Sequence, residues 1–236
     1  DQCLSGRGGG VIHDIAIVGA GMAGAGLAAA IGPRARVLLL EGEDMPGRHA
    51  TGRSAAFWSE TYGGPAVQPL TTASGAALRE GGYLAPLGSL HVGRVEDEAR
   101  VERLLADFAD SGVALSRVDP ATRIPGLRPE WVHGVWEPSC AYIDVAALHA
   151  DYLAAAKAAG AEIRTDAPLL AAERRGGVWH LETRAGPFAA RMLVNAAGET
   201  EEIEVINSSL TDMIDQEIDF AGHRLVEALT RREHAG

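Results

Sequence analysis

Three glycines near the start of the chain have the spacing of a phosphate-binding turn. Gly19, Gly21 and Gly24 form a G-x-G-x-x-G motif between a short β-branched run and an alanine-rich segment. These glycines allow a tight turn, close approach of the backbone to a pyrophosphate, and close contact between helix and strand. The N–H groups and the positive dipole at the start of the helix favour phosphate. Met22 and Ala23 lie inside the motif, and we predict that all five residues contact a dinucleotide.

Glu41 follows the next apolar run, Val37–Leu40, at about twenty residues from the motif. A carboxylate at this place can accept hydrogen bonds from both hydroxyls of an adenosine ribose. Gly42 stands where an arginine would indicate a ribose 2′-phosphate, so the pattern disfavours NADP. A glycine-rich turn between two core elements would explain one or two of the glycines, but it leaves Glu41 unexplained. The motif, the strand and Glu41 together predict dinucleotide binding.

Hydrophobic periodicity along the rest of the chain predicts the elements that position this motif. Helices are predicted at 65–78, 96–110 and 144–159. Strands are predicted at 89–92, 131–136, 162–164, 169–173, 178–183, 188–192 and 193–198. Glycine-rich turns separate the strands between 169 and 192, as in antiparallel hairpins. The interleaved helices and strands therefore predict an α/β fold with an antiparallel three-stranded insertion.

Composition and charge limit the class of partner. The 236 residues carry a net charge of −11, which argues against nucleic acid and anionic membranes as partners. Cys3 and Cys140 are too few for a disulfide framework and lack metal-ligand spacing. We therefore predict no metal site and a reducing, cytoplasmic setting. No apolar run of the sequence approaches membrane-spanning length, and the glycine-rich residues 1–10 predict a disordered linker.

Residues 199–236 differ in character from the residues before them. An acidic run at 199–204 is followed by apolar residues at helical spacing from Ile206 to Leu229. This pattern predicts a long amphipathic helix whose apolar face needs a partner surface. A homodimer formed through this helix is one arrangement that would cover it.

Three stretches of the sequence together are similar to one family of enzymes. They are the start described above, the Thr51-Gly-Arg-Ser-Ala-Ala56 loop and the late Val194-Asn-Ala-Ala-Gly198 strand. Over about residues 15–198 the chain resembles the D-amino-acid oxidase family of FAD-dependent oxidoreductases, and within it the bacterial D-arginine dehydrogenases. The resemblance implies a Rossmann-like, glutathione-reductase-like FAD/NAD(P)-binding domain at 11–84 and 144–198, with a partial α+β substrate domain at 85–143.

The resemblance also implies which residues bind FAD. The glycine turn would bind the pyrophosphate, and Glu41 would bind the adenosine ribose. The residues implied along the ribityl chain and the isoalloxazine ring are Arg53, Ser54, Ala55 and Ala56. Ala172 would contact the adenine through the backbone, and small residues would pass beside the cofactor at Ala196, Ala197 and Gly198.

The activity that the resemblance implies is oxidation of the CH–NH bond of a D-amino acid or related amine, with hydride transfer to flavin N5. Tyr62 matches a tyrosine of the family's active-site lid, whereas Phe57 replaces a histidine of the D-arginine dehydrogenases. His49 lies in the implied flavin loop and could act as an acid or base. We predict Tyr62 and His49 as the catalytic residues. The residue that recognises guanidinium falls at Ser89 or Leu90, so a neutral substrate fits better than D-arginine.

The resemblance ends at the start of the acidic run. Relatives continue there with a substrate clamp, so we expect this chain to bind FAD weakly or through its ADP half. Two alternatives stay open. One is an NAD-dependent dehydrogenase, because the glycine motif alone does not separate NAD from FAD. The other is a non-catalytic dinucleotide-binding fragment.

Overall fold

The computed structural model describes residues 11–54 and 56–198. Its α-helices are α1 (Met22–Ile31), α2 (Gln68–Glu80), α3 (Glu98–Asp107) and α4 (Val145–Ala158). Its strands are β1 (Ile12–Val18), β2 (Val37–Leu40), β3 (Phe57–Trp58), β4 (Leu84–Pro86), β5 (Ser89–Gly93), β6 (Ser116–Val118), β7 (His133–Glu137), β8 (Ala141–Ile143), β9 (Glu162–Arg164), β10 (Leu169–Arg175), β11 (Val178–Thr183) and β12 (Gly186–Asn195). No helix in the two described ranges is long and apolar enough to cross a membrane. The predictions for 1–10 and 199–236 lie outside them.

The described residues divide into two compact units. The first unit combines residues 11–54 with 148–198, and the second contains residues 56–147. The predicted domain ranges have their first boundary at residue 84 instead. Helix α2 and strands β3 and β4, which lie within 11–84, therefore belong to the second unit. The roles assigned to the predicted ranges stay predictions.

A six-stranded sheet forms the first unit, in the order β10-β11-β12-β1-β2-β9. Strands β12, β1, β2 and β9 pair parallel to one another, whereas β10, β11 and β12 form antiparallel hairpins. Every residue of Val37–Leu40 is buried, as expected for a parallel strand covered on both faces. The predicted α/β fold with an antiparallel insertion is confirmed.

Alternate side chains of β1 enter two different apolar clusters. Ile17 enters a cluster that contains Ala28 of α1 and Ala156 of α4. Ala16 enters a second cluster, which contains Trp179 of the antiparallel hairpin. Successive side chains of a strand point to opposite faces, so the sheet is covered by apolar groups on both faces.

One predicted strand boundary is wrong. The sequence predicts separate strands at 188–192 and 193–198, whereas the structure has the single strand β12. This strand pairs with β11 near its start and with β1 over its later residues, so the ladder continues where a break is predicted. Strands β3, β4, β6 and β8, each of two or three residues, have no matching prediction.

The first turn brings helix α1 very close to the end of β1. A Cβ atom on Gly24 would lie 1.8 Å from the carbonyl oxygen of Gly19. A Cβ atom on Gly26 of the same helix would meet the ring of Tyr152 at ordinary distances of 3.4 Å and more. Within α1, the steric requirement for glycine therefore applies at position 24 and does not apply at position 26.

The second unit contains a buried carboxylate. Its strands form two three-stranded sheets, β3-β8-β4 and β5-β7-β6, and Glu137 at the end of β7 is fully buried. The Glu137 carboxylate accepts hydrogen bonds from the Ser59 hydroxyl at 2.9 Å, the Glu60 N–H at 2.7 Å and the Thr61 hydroxyl at 2.6 Å. Burial alone would raise the pKa of Glu137, but the His91 imidazole and these donors outweigh it and lower the pKa to about 2.

We expect the Glu137→Gln variant to lose about 2–3 kcal/mol of unfolding free energy near neutral pH, because its buried donors lose a charged acceptor. The pKa of Glu137 in the folded state is lower than the ordinary 4.5. The stability that the Glu137 charge contributes is therefore complete above pH 4.5 and is lost as the pH falls toward 2. Urea unfolding at several pH values should show the difference from wild type shrinking over this acidic range.

Glu80→Gln is the matched control, because Glu80 is an exposed carboxylate at the end of α2 in the same unit. It should leave stability within about 0.5 kcal/mol of wild type. An effect of Glu137→Gln that stays constant with pH would contradict the role given to the charge.

We expect Gly24→Ala to destabilise the first unit by about 1–3 kcal/mol, because its methyl group overlaps the Gly19 carbonyl. Gly26→Ala should be neutral or raise stability by up to about 1 kcal/mol, because alanine is the better helix former. Thermal unfolding of the two variants measures the contrast. Equal stability of both variants would disprove the close contact at Gly24.

Candidate functional site

Three strand ends meet at the predicted phosphate-binding turn. Gly19 follows β1 with a φ of 95°, and its N–H donates to the Leu40 carbonyl at the end of β2. A Cβ atom on Gly19 would lie 2.5 Å from the carbonyl oxygen of Ala196, just after β12. Positive φ and this contact both require glycine. The structure thus brings Gly19 and Ala196 together at the carboxyl ends of parallel strands, where open α/β sheets bind ligands.

Helix α1 begins at this turn with backbone donors that lack protein acceptors. Its N-cap residue, Gly21, makes no side-chain capping bond. The Met22 N–H donates to the Thr51 hydroxyl at 3.0 Å. Within the described ranges, no acceptor takes the N–H of Gly21 or Ala23. Free N–H groups at the positive end of a helix fit the phosphates of a dinucleotide.

Glu41 lies at the end of β2, and one backbone N–H holds each of its carboxylate oxygens. Oε2 accepts from Ala20 at 3.1 Å, and Oε1 accepts from Glu43 at 3.1 Å. A carboxylate has about four lone-pair sites, so both oxygens keep room for a ribose hydroxyl. Gly42 follows without a side chain to obstruct them. This geometry and the glycine turn together fit the ADP half of FAD.

The loop after β2 contains the predicted residues His49, Arg53 and Ser54. The His49 Nε2 atom lies 2.7 Å from Glu43 Oε1, and this hydrogen bond lowers the pKa of the Glu43 carboxyl. Arg53 and Ser54 are exposed, and Arg53 makes no ion pair in the described part of the chain. The loop therefore presents an unpaired cation and an imidazole held by a carboxylate.

The other predicted cofactor residues have different positions. Ala172 is buried in β10, and its contact with the adenine stays a prediction. Ala197 lies beside the first turn, within 2.6 Å of the place where a Gly19 Cβ would be. Gly198 is the last residue described. Ala55 lies outside the described residues, and Ala56 belongs to the second unit.

The predicted catalytic Tyr62 belongs to an exposed aromatic group on the second unit. Phe57 of β3 and Tyr142 of β8 are cross-strand partners, and both are about half exposed. Tyr62 meets the Phe57 ring edge-on, with 6.0 Å between the ring centroids. With 73% of its surface exposed, Tyr62 is accessible to a small molecule.

Sequence reasoning missed three side chains that fix the backbone at these places. Thr51 accepts from the first turn of α1, and Glu137 holds the segment before Tyr62. His149 of α4 is buried, and its Nε2 lies 2.7 Å from the Ala20 carbonyl oxygen, to which it donates. The signal for His149 is its place on the apolar stripe of α4, where a buried polar group needs a partner.

Comparison with known proteins agrees with the predicted cofactor, FAD, and with the predicted α/β fold. The sequence matches the family described as FAD dependent oxidoreductase, DAO, over residues 14–211. NikD, an unusual amino acid oxidase essential for nikkomycin biosynthesis, is 25% identical with a TM-score of 0.67, covering 79% of this chain and 51% of NikD. Glycine oxidase from Geobacillus kaustophilus is 24% identical with a TM-score of 0.68, covering 79% and 55%. L-α-glycerophosphate oxidase from Mycoplasma pneumoniae, solved with FAD bound, is 16% identical with a TM-score of 0.72, covering 80% and 54%.

The chain spans about half the length of these solved proteins. The family match covers most of the sequence, and it names FAD, which sets aside the NAD-dependent alternative. The glycine turn, the free N–H groups of α1 and Glu41 fit that cofactor. The chain therefore belongs to the DAO family of FAD-dependent oxidoreductases.

Proposed function

We propose that this protein oxidises the CH–NH bond of a D-amino acid or related amine, with FAD as the electron acceptor. The family supplies the oxidoreductase class, and two similar structures are named as a glycine oxidase and an amino acid oxidase. The observation that carries the proposal is the turn at Gly19–Gly24. Close backbone contacts at Gly19 and Gly24 exclude a Cβ atom, and the Ala20 N–H between them donates to the Glu41 carboxylate.

FAD, when bound, would supply the redox chemistry, as the acceptor of a hydride from the substrate α-carbon. The residues of the chain bind and orient it. The N–H groups of α1 would bind the pyrophosphate, Glu41 would bind the ribose, and the exposed Arg53 would provide a cation for phosphate. Tyr62 contacts the substrate. His49, with Glu43 as its hydrogen-bond partner, is the second catalytic residue and exchanges protons with the substrate amine.

A neutral amino acid or amine is the proposed substrate, with D-configuration resting on the family resemblance. Ser89 and Leu90 stand where that resemblance places the residue that recognises a guanidinium, and neither carries charge. Glu137 pairs with Ser89 across β5 and β7, but it is fully buried and its oxygens accept three hydrogen bonds. A substrate cation would therefore meet no available carboxylate on this strand pair, and an unpaired buried charge costs several kcal/mol.

A cytoplasmic location and a homodimer formed through residues 199–236 stay predictions from the sequence. The first rests on the low cysteine content and the second on the amphipathic pattern.

We expect Glu41→Gln to weaken FAD binding about 10- to 100-fold, because hydrogen bonds to a charged group contribute about 1.5–3 kcal/mol. Titration of FAD into the protein, followed by quenching of flavin fluorescence, gives the dissociation constant. Glu43→Gln removes the same charge from the same loop and should change the constant by less than about threefold, because Glu43 faces His49. Equal losses in both variants would show a general charge effect instead of a ribose contact.

We expect a neutral D-amino acid to reduce the bound flavin faster than D-arginine does. The protein is loaded with FAD, and anaerobic mixing with D-alanine, D-arginine, L-alanine or N-methylglycine is followed by loss of visible flavin absorbance. Bleaching by D-alanine ahead of D-arginine supports the proposal. An FAD-loaded chain that no amine bleaches would overturn the proposed reaction, while the Glu41 titration tests the cofactor site separately.

A further inference from the structure

His149 occupies a position where an apolar residue is expected. It lies on the stripe of α4 that includes Leu153 and Ala156, and both of these contact the cluster that covers one face of the sheet. The side chain of His149 is buried. A buried imidazole N–H needs a hydrogen-bond acceptor. The acceptor here is the Ala20 carbonyl oxygen, 2.7 Å from Nε2.

Both backbone polar groups of Ala20 are thereby held by side chains from elsewhere in the sequence. The Ala20 N–H donates to Glu41 Oε2 at 3.1 Å, and the Ala20 carbonyl accepts from His149. Ala20 itself is fully buried, so water does not compete for these groups. The two bonds fix the two peptide planes on either side of Ala20, which lie in the middle of the glycine turn.

The peptide plane between Ala20 and Gly21 contains the Gly21 N–H, a candidate phosphate donor, so the orientation of this plane decides where that N–H points. The described chain has no cis peptide bond, and in a trans peptide the carbonyl and the next N–H point in opposite directions. Because His149 holds the Ala20 carbonyl on the α4 side, the Gly21 N–H points away from α4. This N–H has no acceptor among the described residues.

The same imidazole also contacts the loop that caps α1. A Cβ atom on Gly47 would lie 2.9 Å from His149 Cε1, so the loop backbone touches the ring. Gly47 accepts a hydrogen bond from the Gly52 N–H at 2.7 Å, which closes a short loop containing Thr51. Thr51 accepts from Met22 N–H. His149 therefore lies against both segments that shape the start of α1.

We infer that His149 is a positioning residue for the cofactor pyrophosphate, acting through the Ala20 carbonyl on the donors of the glycine turn. It touches no cofactor atom itself. The inference rests on FAD binding and is independent of which amine the enzyme oxidises.

The test compares three variants of the full chain by calorimetric titration with FAD and with ADP. His149→Leu removes the donor and leaves the Ala20 carbonyl unpaired, so both dissociation constants should rise about tenfold. His149→Gln places an amide N–H at a reach similar to that of Nε2, so it should restore both constants to within about threefold of wild type. Leu148→Ala, at the neighbouring buried residue of α4, should lower the melting temperature and leave both constants nearly unchanged.

Three outcomes would overturn the inference. They are an unchanged affinity in His149→Leu, an equal loss of affinity in Leu148→Ala, and a failure of His149→Gln to restore binding. If His149→Leu does not fold, His149→Asn replaces it, because its amide is one bond too short to reach the Ala20 carbonyl. Weaker binding by the asparagine variant than by the glutamine variant then supports the inference, and equal binding overturns it.

Discussion

Contact of backbone with backbone at the first turn is the constraint on which the cofactor site depends. Gly19 meets the carbonyl of Ala196, and Gly24 meets the carbonyl of Gly19, at distances that exclude a Cβ atom. A turn compressed in this way leaves no room for a side chain at Gly19 or Gly24, so a phosphate could approach the N–H groups at the helix start. The turn thus fits a phosphate, and the Glu41 carboxylate after the next strand fits a ribose hydroxyl.

Buried ionisable side chains fix the backbone in both units. His149 holds the Ala20 carbonyl in the first unit, and Glu137 holds three consecutive residues, 59–61, in the second. A buried polar group that loses its partner is costly, so such bonds permit few alternative backbone arrangements. In each case the fixed segment leads directly into residues of functional interest, the glycine turn and Tyr62.

The sequence predicts the features whose determinants are close together along the chain. The turn at Gly19–Gly24 and the carboxylate of Glu41 follow from local spacing, and the hairpins follow from glycine-rich turns. The side chains that it misses act over long separations: 29 residues between Met22 and Thr51, 77 between Glu60 and Glu137, and 129 between Ala20 and His149. No periodicity reports such contacts. The second unit begins before residue 84, where the sequence predicts the boundary, and local patterns do not show this because β3 and β4 pair with the distant β8.

The long separation at His149 has a thermodynamic consequence. The first unit is interrupted by residues 56–147, and α4 brings the chain back to it. When residues 56–147 are unfolded, closing a loop of that length costs on the order of 4 kcal/mol of entropy, and native contacts must offset it. A ligand at one hundred times its dissociation constant adds about 2.7 kcal/mol of stability, a comparable amount. Because the Ala20 carbonyl links the glycine turn before the interruption to α4 after it, a dinucleotide bound at that turn would stabilise the closed first unit as a whole.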